Sequence, residues 1–157
     1  MRLTKYTVEF DEARKPILAK ERSFNYSVAE QLNTPEKIVE LIIDVFRADK
    51  QVEEHVWLLA LNAKLKPVGV FEVSHGSREA SACGMREIFM RLCLCGASAF
   101  TIVHNHPTGD CFPSKEDRQI TETLKNAAKL MQIKFLDHII IGAGEFYSFT
   151  ENKNNTK

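Results

Sequence analysis

The apolar residues of the chain recur with two periods, one typical of strands and one typical of helices. Alternating or unbroken apolar runs predict short strands at residues 6–10, 56–61, 67–73, 99–103, 135–141 and 146–149. Apolar positions three and four residues apart predict helices at about residues 35–48, 84–95 and 115–131. Residues 11–33 fit neither period. The pattern predicts a single α/β (α+β) domain, with a central mixed β-sheet packed by about three helices.

Local signals mark the ends of several elements. Thr34 followed by Pro35 is typical of a helix start, and Gly96 is typical of a helix end. No repeat or linker divides the chain, so we expect residues 1–50 to contribute a strand and a helix to the same domain as a core at residues 51–151. The polar tail, residues 152–157, is expected to be disordered.

Composition and charge narrow the class of protein. The 157 residues include 21 Lys and Arg against 21 Asp and Glu, a formal net charge of zero. This balance disfavours a broad basic face for nucleic acid, although it leaves room for a local patch. No apolar run reaches the roughly 18–20 residues of a membrane helix, and the N-terminus has no signal-peptide core. We therefore expect a cytoplasmic protein with no membrane partner; the oligomeric state stays open.

Three side chains near the middle of the chain have the types and spacing of metal ligands. His104 and His106 lie two residues apart at the end of a predicted strand. Because strand side chains alternate between faces, both imidazoles should lie on one face, about 6.5 Å apart along the chain. Asp117 falls in the first turn of the next helix and can return to the same point. Two imidazoles and one carboxylate, with a fourth position left for water, are typical of catalytic zinc.

Some of these residues also have structural explanations. Ser114 and Asp117 match a helix capping box, which needs no metal. The two roles are compatible, because a carboxylate at a helix N-terminus can satisfy the helix dipole and still offer an oxygen to an ion. His138 lies within an apolar strand, and we interpret it as a core residue or a support for a ligand.

The string from His104 to Asp117, HNHPTGDCFPSKED, resembles the JAMM (MPN-plus) metalloprotease motif and, more specifically, its RadC-like branch. The segments REIF at 86–89 and LDHIIIG at 136–142 are similar to segments of the same branch. The resemblance covers about residues 50–151. It implies the JAB/MPN (cytidine-deaminase-like) architecture.

The resemblance also implies roles for individual side chains. It assigns one Zn²⁺ per chain to the two histidines and the aspartate, and it assigns stabilisation of the oxyanion to Ser114. It requires an upstream glutamate as the general base, for which Glu53 and Glu54 are adjacent candidates. RadC-like chains place this acid eight residues before an Asp or Asn. Glu54 is preferred because Asn62 lies eight residues after it.

The implied function is zinc-dependent hydrolysis of a peptide or isopeptide bond, with a peptide or protein as substrate. The alternative is a non-catalytic protein- or DNA-binding module of the RadC family linked to DNA repair. The complete set of ligands, base and hydroxyl favours the enzyme, since a binding module needs no acid beside an open metal position. A metal-dependent deaminase would need a His-x-Glu and a downstream Cys-x-x-Cys, and the sequence has neither.

Overall fold

The structure, a computed structural model, describes residues 2–26, 32–76, 84–151 and 153–156. Within these ranges the chain forms one eight-stranded mixed sheet and three α-helices, which confirms the predicted mixed sheet packed by three helices. The strands are β1 (Arg2–Phe10), β2 (Pro16–Asn25), β3 (His55–Leu61), β4 (Pro67–His75), β5 (Ala99–Asn105), β6 (Lys134–Ile141), β7 (Glu145–Ser148) and β8 (Lys153–Thr156). The helices are α1 (Pro35–Phe46), α2 (Met85–Leu94) and α3 (Lys115–Met131).

The order of strands across the sheet is β2-β1-β4-β3-β5-β6-β7-β8. Neighbouring strands are antiparallel except for the pairs β1–β4 and β5–β6, which are parallel. A parallel pair needs a crossover, and α3 supplies it between β5 and β6. The end of β5 and the start of α3 are thereby brought to the same edge of the sheet.

The sheet separates two apolar layers, which explains the unbroken apolar run of β3. Trp57, Leu59 and Leu61 pack into the layer that contains α1. Val56 and Leu58 pack into the opposite layer, with residues of α2 and α3. A strand covered on both faces requires apolar side chains at every position. Among the helices of the described ranges, none has both the length and the hydropathy of a membrane span.

The two edge regions of the sheet depart from the sequence prediction. β2 lies within residues 11–33, which carried no periodic signal, and it pairs with β1 from Arg2–Asn25 to Phe10–Pro16. β2 is largely exposed, so no apolar alternation marks it.

The prediction of a disordered tail is wrong for residues 153–156. These residues form β8, which pairs antiparallel with β7 from Glu145–Thr156 to Ser148–Lys153. The pairing uses main-chain hydrogen bonds, which do not depend on apolar side chains. A polar segment such as KNNT can therefore pair with the edge of a sheet although no hydrophobic pattern predicts a strand there.

Candidate metal centre

His104 and His106 reach a common point from the end of β5. The strand continues to Asn105, two residues beyond its predicted end, so His104 is a fully buried strand residue. His106 follows, and its backbone N–H donates to the Ile141 carbonyl at 2.9 Å, which keeps it beside β6. Pro107 then ends the pairing because it has no N–H to donate. The two Nε2 atoms lie 3.0 Å apart, as expected for two residues on one face.

Asp117 closes the group from the first turn of α3. Its carboxylate oxygens lie 3.3 Å from His104 Nε2 and 3.5 Å from His106 Nε2. The same side chain completes a capping box: it accepts the Ser114 backbone N–H at 2.8 Å, and the Ser114 hydroxyl accepts the Asp117 N–H at 3.1 Å. The capping role and the position beside both imidazoles therefore coexist in one residue.

The donor atoms of these three side chains lie close enough together to bind one metal ion. The two Nε2 atoms are 3.0 Å apart, and they lie 3.3 and 3.5 Å from different carboxylate oxygens, Oδ1 for His104 and Oδ2 for His106. A tetrahedral ion with bonds of about 2.0–2.1 Å to nitrogen and oxygen needs donor atoms about 3.3–3.4 Å apart. Two imidazole nitrogens and a carboxylate also form a donor set that suits Zn²⁺. We call this group, His104, His106 and Asp117, the donor triangle.

A backbone carbonyl sets the tautomer of His106. His106 Nδ1 lies 2.7 Å from the Asp110 carbonyl oxygen, which can only accept a hydrogen bond. Nδ1 therefore carries the hydrogen, and the lone pair of Nε2 faces the donor triangle. This is the arrangement of a histidine that binds a metal through Nε2. The main chain of Asp110 thus has a defined part in the site.

A longer chain of hydrogen bonds sets the tautomer of His104. The Thr121 hydroxyl donates to the Asp117 carbonyl at 2.6 Å, so it accepts from His138 Nδ1 at 2.7 Å. His138 Nε2 then lacks a hydrogen and accepts from His104 Nδ1 at 2.8 Å. The lone pair of His104 Nε2 is left facing the donor triangle. His138 is therefore a buried core residue that also orients the imidazole of His104. Thr121 was missed, although a buried threonine four residues after Asp117 on an amphipathic helix is a usable signal.

The electrostatics of the site favour the protonation states that a metal requires at His104 and Asp117, but not at His106. Burial, with His138 nearby, lowers the pKa of His104 well below its usual range. Burial acts to lower the pKa of His106, but hydrogen bonds to Asp117 and to a backbone carbonyl raise it overall. Burial also opposes ionisation of Asp117, yet the hydrogen bonds from His106 and Ser114 and the nearby His104 hold its pKa well below normal. Asp117 is therefore an anion at neutral pH.

Glu54 lies in a cleft beside the donor triangle. The cleft has a volume of about 680 Å³, and its lining includes Glu54, His106 and Thr108. Glu54 is half-buried, and burial raises the pKa of its carboxyl. The His106 imidazole opposes this rise in pKa, and the Asp117 carboxylate adds to it. The charge of the Glu54 carboxyl therefore interacts with two members of the donor triangle.

The Glu53 side chain belongs to a different group. Its Oε2 atom lies 2.5 Å from His75 Nε2, and these two residues with His55 form a second cluster of potential ligands within 4.8 Å. His55 stacks against Trp57, which packs in the layer on the α1 side of the sheet. Glu53 also lines the cleft, and the charge of Glu54 acts on His106. The choice of Glu54 as the acid of the site stays a prediction. His75 ends β4, two residues beyond the predicted end of this strand.

The Ser114 hydroxyl is already engaged in this structure. Ser114 Oγ donates to Asp117 Oδ2 at 2.5 Å while it accepts the Asp117 backbone N–H. A donor to a substrate oxygen would have to turn its hydrogen away from the carboxylate. The role of Ser114 at the oxyanion stays a prediction, whereas its part in orienting Asp117 is visible.

Thr121→Val is expected to weaken zinc binding about 10- to 100-fold, the usual effect of removing a partner that orients a ligand. The substitution keeps the shape of the side chain but removes the acceptor for His138. Competition with a chromogenic zinc chelator measures the affinity. Thr123→Val is the matched control, because Thr123 lies exposed on the same helix and its hydroxyl donates to the Gln119 carbonyl in the same i to i−4 pattern. Equal affinities for the two variants would contradict the role of Thr121.

The metal-free protein is expected to lose stability as the pH falls. Burial lowers the pKa of His138 to about 4. Because the folded state binds fewer protons than the unfolded state, this contribution is complete above pH ~6.5 and is lost between pH ~6.5 and 4. It amounts to something on the order of 3 kcal/mol. Urea denaturation at pH 7 and pH 4.5 measures it, and His138→Phe should flatten the difference. An unchanged slope in that variant would contradict the assignment.

Comparison with known proteins identifies the family of this chain. The family model of the RadC-like JAB domain matches residues 32–154. A UPF0758 protein of Chlorobium phaeovibrioides is 43% identical over 106 residues, which cover 68% of this chain and 48% of the relative. A UPF0758 protein of Haemophilus ducreyi is 31% identical over 144 residues, covering 90% of this chain and 63% of the relative.

The curated relatives are longer than this chain, which spans about half the length of several of them. A UPF0758 protein of Coprothermobacter proteolyticus, 36% identical over 125 residues, is matched over 53% of its length and over 78% of this chain. The family match begins at residue 32, earlier than the resemblance recognised from about residue 50, and so includes α1. The chain belongs to the RadC-like JAB domain family.

Proposed function

We propose that this chain is a zinc-dependent hydrolase that cleaves a peptide or isopeptide bond. The observation that carries the proposal is the donor triangle with a half-buried glutamate in the adjoining cleft. Within the described residues, no fourth His, Cys or acidic side chain joins this group. Structural zinc sites are closed by four protein ligands, whereas catalytic sites keep one position open. Membership of the RadC-like JAB family supports the same function.

Each side chain has a chemical task that its surroundings favour. Zinc bound at the donor triangle would lower the pKa of a water molecule and polarise the scissile carbonyl. Glu54 accepts the proton of the attacking water and passes it to the leaving amine. Its raised pKa suits both steps, because the carboxyl binds a proton more readily than an exposed glutamate does. Ser114, once its hydroxyl turns from Asp117, donates to the carbonyl oxygen as negative charge develops there.

The shape and lining of the cleft support a polypeptide substrate. Val52 and Pro107 line the cleft together with Glu53 and Glu54, and the side chain of Val52 is 89% exposed. An exposed apolar side chain beside polar groups suits a substrate that offers both an apolar side chain and an amide. A volume of about 680 Å³ accommodates a few residues of an extended chain.

A screen of peptide and isopeptide-linked libraries tests the proposal. The zinc-loaded protein is incubated with each library, and the products are identified by mass spectrometry. We expect cleavage that disappears when a chelator removes the metal and returns when zinc is added back. The proposal fails if the zinc-loaded chain cleaves no member of either library, or if cleavage is unchanged in the metal-free protein.

Binding to DNA is expected to be weak, which disfavours the alternative of a DNA-binding module. The 21 basic and 21 acidic residues leave no net charge to attract phosphates. At about 0.15 M salt we expect dissociation constants no tighter than about 10⁻⁶–10⁻⁴ M, the range of non-specific binding. Fluorescence anisotropy with labelled duplex and branched DNA measures this. Tight binding that resists salt would favour the alternative.

A further inference from the structure

Asn105 lies between the two histidine ligands but faces the other side of the strand. Its side chain is almost completely buried, with 2% of its surface exposed. The Oδ1 atom accepts the backbone N–H of His55 at 2.8 Å, and the Nδ2 atom donates to the backbone carbonyl of Glu53 at 2.9 Å. One carboxamide therefore bridges the main chain on both sides of Glu54.

The bridge stands where backbone pairing between the two strands has ended. β3 and β5 pair from Leu61–Ala99 to Val56–His104. Beyond that pair, the chain stays paired with β6, since Asn105 pairs with Ile141 and the His106 N–H donates to the Ile141 carbonyl. The backbone of residues 53–55 has thus lost its main-chain partner on the β5 side. The Asn105 side chain supplies the missing donor and acceptor.

The opposite side of the same segment is held by β4. The Gly76 backbone N–H donates to the Glu54 carbonyl at 3.0 Å. Gly76 has a φ of +79°, in the left-handed region that favours glycine. Residues 53, 54 and 55 are therefore fixed from both neighbouring strands, by Gly76 on one side and by Asn105 on the other.

We propose that Asn105 is a positioning residue, which fixes the backbone of Glu54 relative to the metal ligands on its own strand. His104 and Asn105 are consecutive residues of β5, so the ligand and the bridge move as one unit. The inference rests on the proposed function, in which Glu54 is the general base. A misplacement of about 1 Å in a reacting group can lower a rate about 100-fold.

Only a side chain that donates and accepts at once can make this bridge. Aspartate has the shape of asparagine and still accepts from the His55 N–H, but it cannot donate to the Glu53 carbonyl. Alanine removes both bonds. Asn105→Asp therefore tests the bridge in a side chain of nearly the same size, and Asn105→Ala tests its complete loss.

Asn62→Asp is the matched control for the aspartate substitution. Asn62 lies in the turn after β3, and its Oδ1 atom accepts the backbone N–H groups of Lys64 and Lys66 at 2.9 and 3.1 Å. Aspartate preserves both of these bonds, while it introduces the same charge as at position 105. We expect the control to match the wild type in zinc content and in activity.

The first experiment measures the bridge without any substrate. Amide hydrogen exchange of the full chain, followed by NMR, reports the protection of the His55 N–H. We expect exchange to be at least about ten-fold faster in Asn105→Ala than in the wild type, since a protected amide loses its acceptor. The zinc content should stay at the wild-type value. Unchanged exchange at His55 would overturn the inference even if the protein proved to have no hydrolase activity.

The second experiment uses the rate of hydrolysis. We expect kcat to fall about 10- to 100-fold in Asn105→Asp and Asn105→Ala. If Asn105 acts through Glu54, adding Asn105→Ala to Glu54→Gln should cause little further loss, because the base is already absent. A further loss of the full size in the double variant would show a general structural role and overturn the inference. Full activity in both single variants would overturn it while the proposed function stands.

Discussion

Glu54→Gln is expected to lower the rate of hydrolysis about 10²- to 10⁴-fold, the usual contribution of a general base. Glutamine has the shape of glutamate but cannot accept a proton from water at neutral pH. The three donor side chains are unchanged, so the protein should keep its zinc. The measurement is the rate on a substrate found in the library screen, with the metal content of the same sample determined by atomic spectroscopy.

Glu53→Gln is the matched control for this substitution. The two glutamates are adjacent and both line the cleft, yet the Glu53 carboxylate is paired with His75. We expect its replacement to change the rate less than about twofold, as for a group outside the reaction. Retained hydrolysis in Glu54→Gln, together with a large loss in Glu53→Gln, would move the base to Glu53.

His104→Ala/His106→Ala is expected to reduce the zinc content from about one ion per chain to none at this site. Two of the three donor side chains are then lost, and one carboxylate cannot hold the ion against competing water. In the wild type, zinc at 100 times its dissociation constant should add about 2.7 kcal/mol to the free energy of unfolding. The double variant should show no such gain. Thermal denaturation with and without zinc measures it.

His55→Ala/His75→Ala separates the donor triangle from the second cluster of potential ligands. It removes both imidazoles of that cluster and leaves the triangle untouched. We expect this variant to keep one zinc per chain and the full stabilisation by zinc. If it loses the metal instead, and His104→Ala/His106→Ala keeps it, the metal belongs to the second cluster.

The strands and helices that were predicted correctly are those with a buried face. β3 and β5 are covered on both sides, and each therefore has a largely apolar sequence that predicts a buried strand. β2 and β8 lie at the two edges of the sheet, where main-chain pairing suffices. Their sequences have no periodic apolar pattern, so these two strands could not be predicted from the sequence and are seen only in the structure.

Local sequence patterns also predict part of the candidate site, whereas its other contacts depend on the tertiary fold. The placement of His104 and His106 follows from strand alternation, and that of Asp117 follows from its place in a capping box. The link from Thr121 to His138 depends on the parallel register of β5 and β6, which pairs Ile102 with His138. No local pattern encodes a register between strands separated by a helix, so this support could not be predicted in detail.

The choice of Glu54 over Glu53 came from a resemblance and not from periodicity. Both residues precede β3, where the alternation of strand side chains does not yet apply. Their directions are set by Gly76 and Asn105, which reach the segment from two different strands. A side chain placed by such long-range contacts can be assigned from sequence only through a family pattern.

Anomalous diffraction at the zinc absorption edge, from crystals grown with Zn²⁺, tests the central claim most directly. We predict one peak at the donor triangle, about 2.0–2.2 Å from His104 Nε2, His106 Nε2 and an Asp117 oxygen, with no protein atom in the fourth position. A peak enclosed by a fourth protein ligand, or no peak at these side chains in zinc-saturated crystals, would contradict the account.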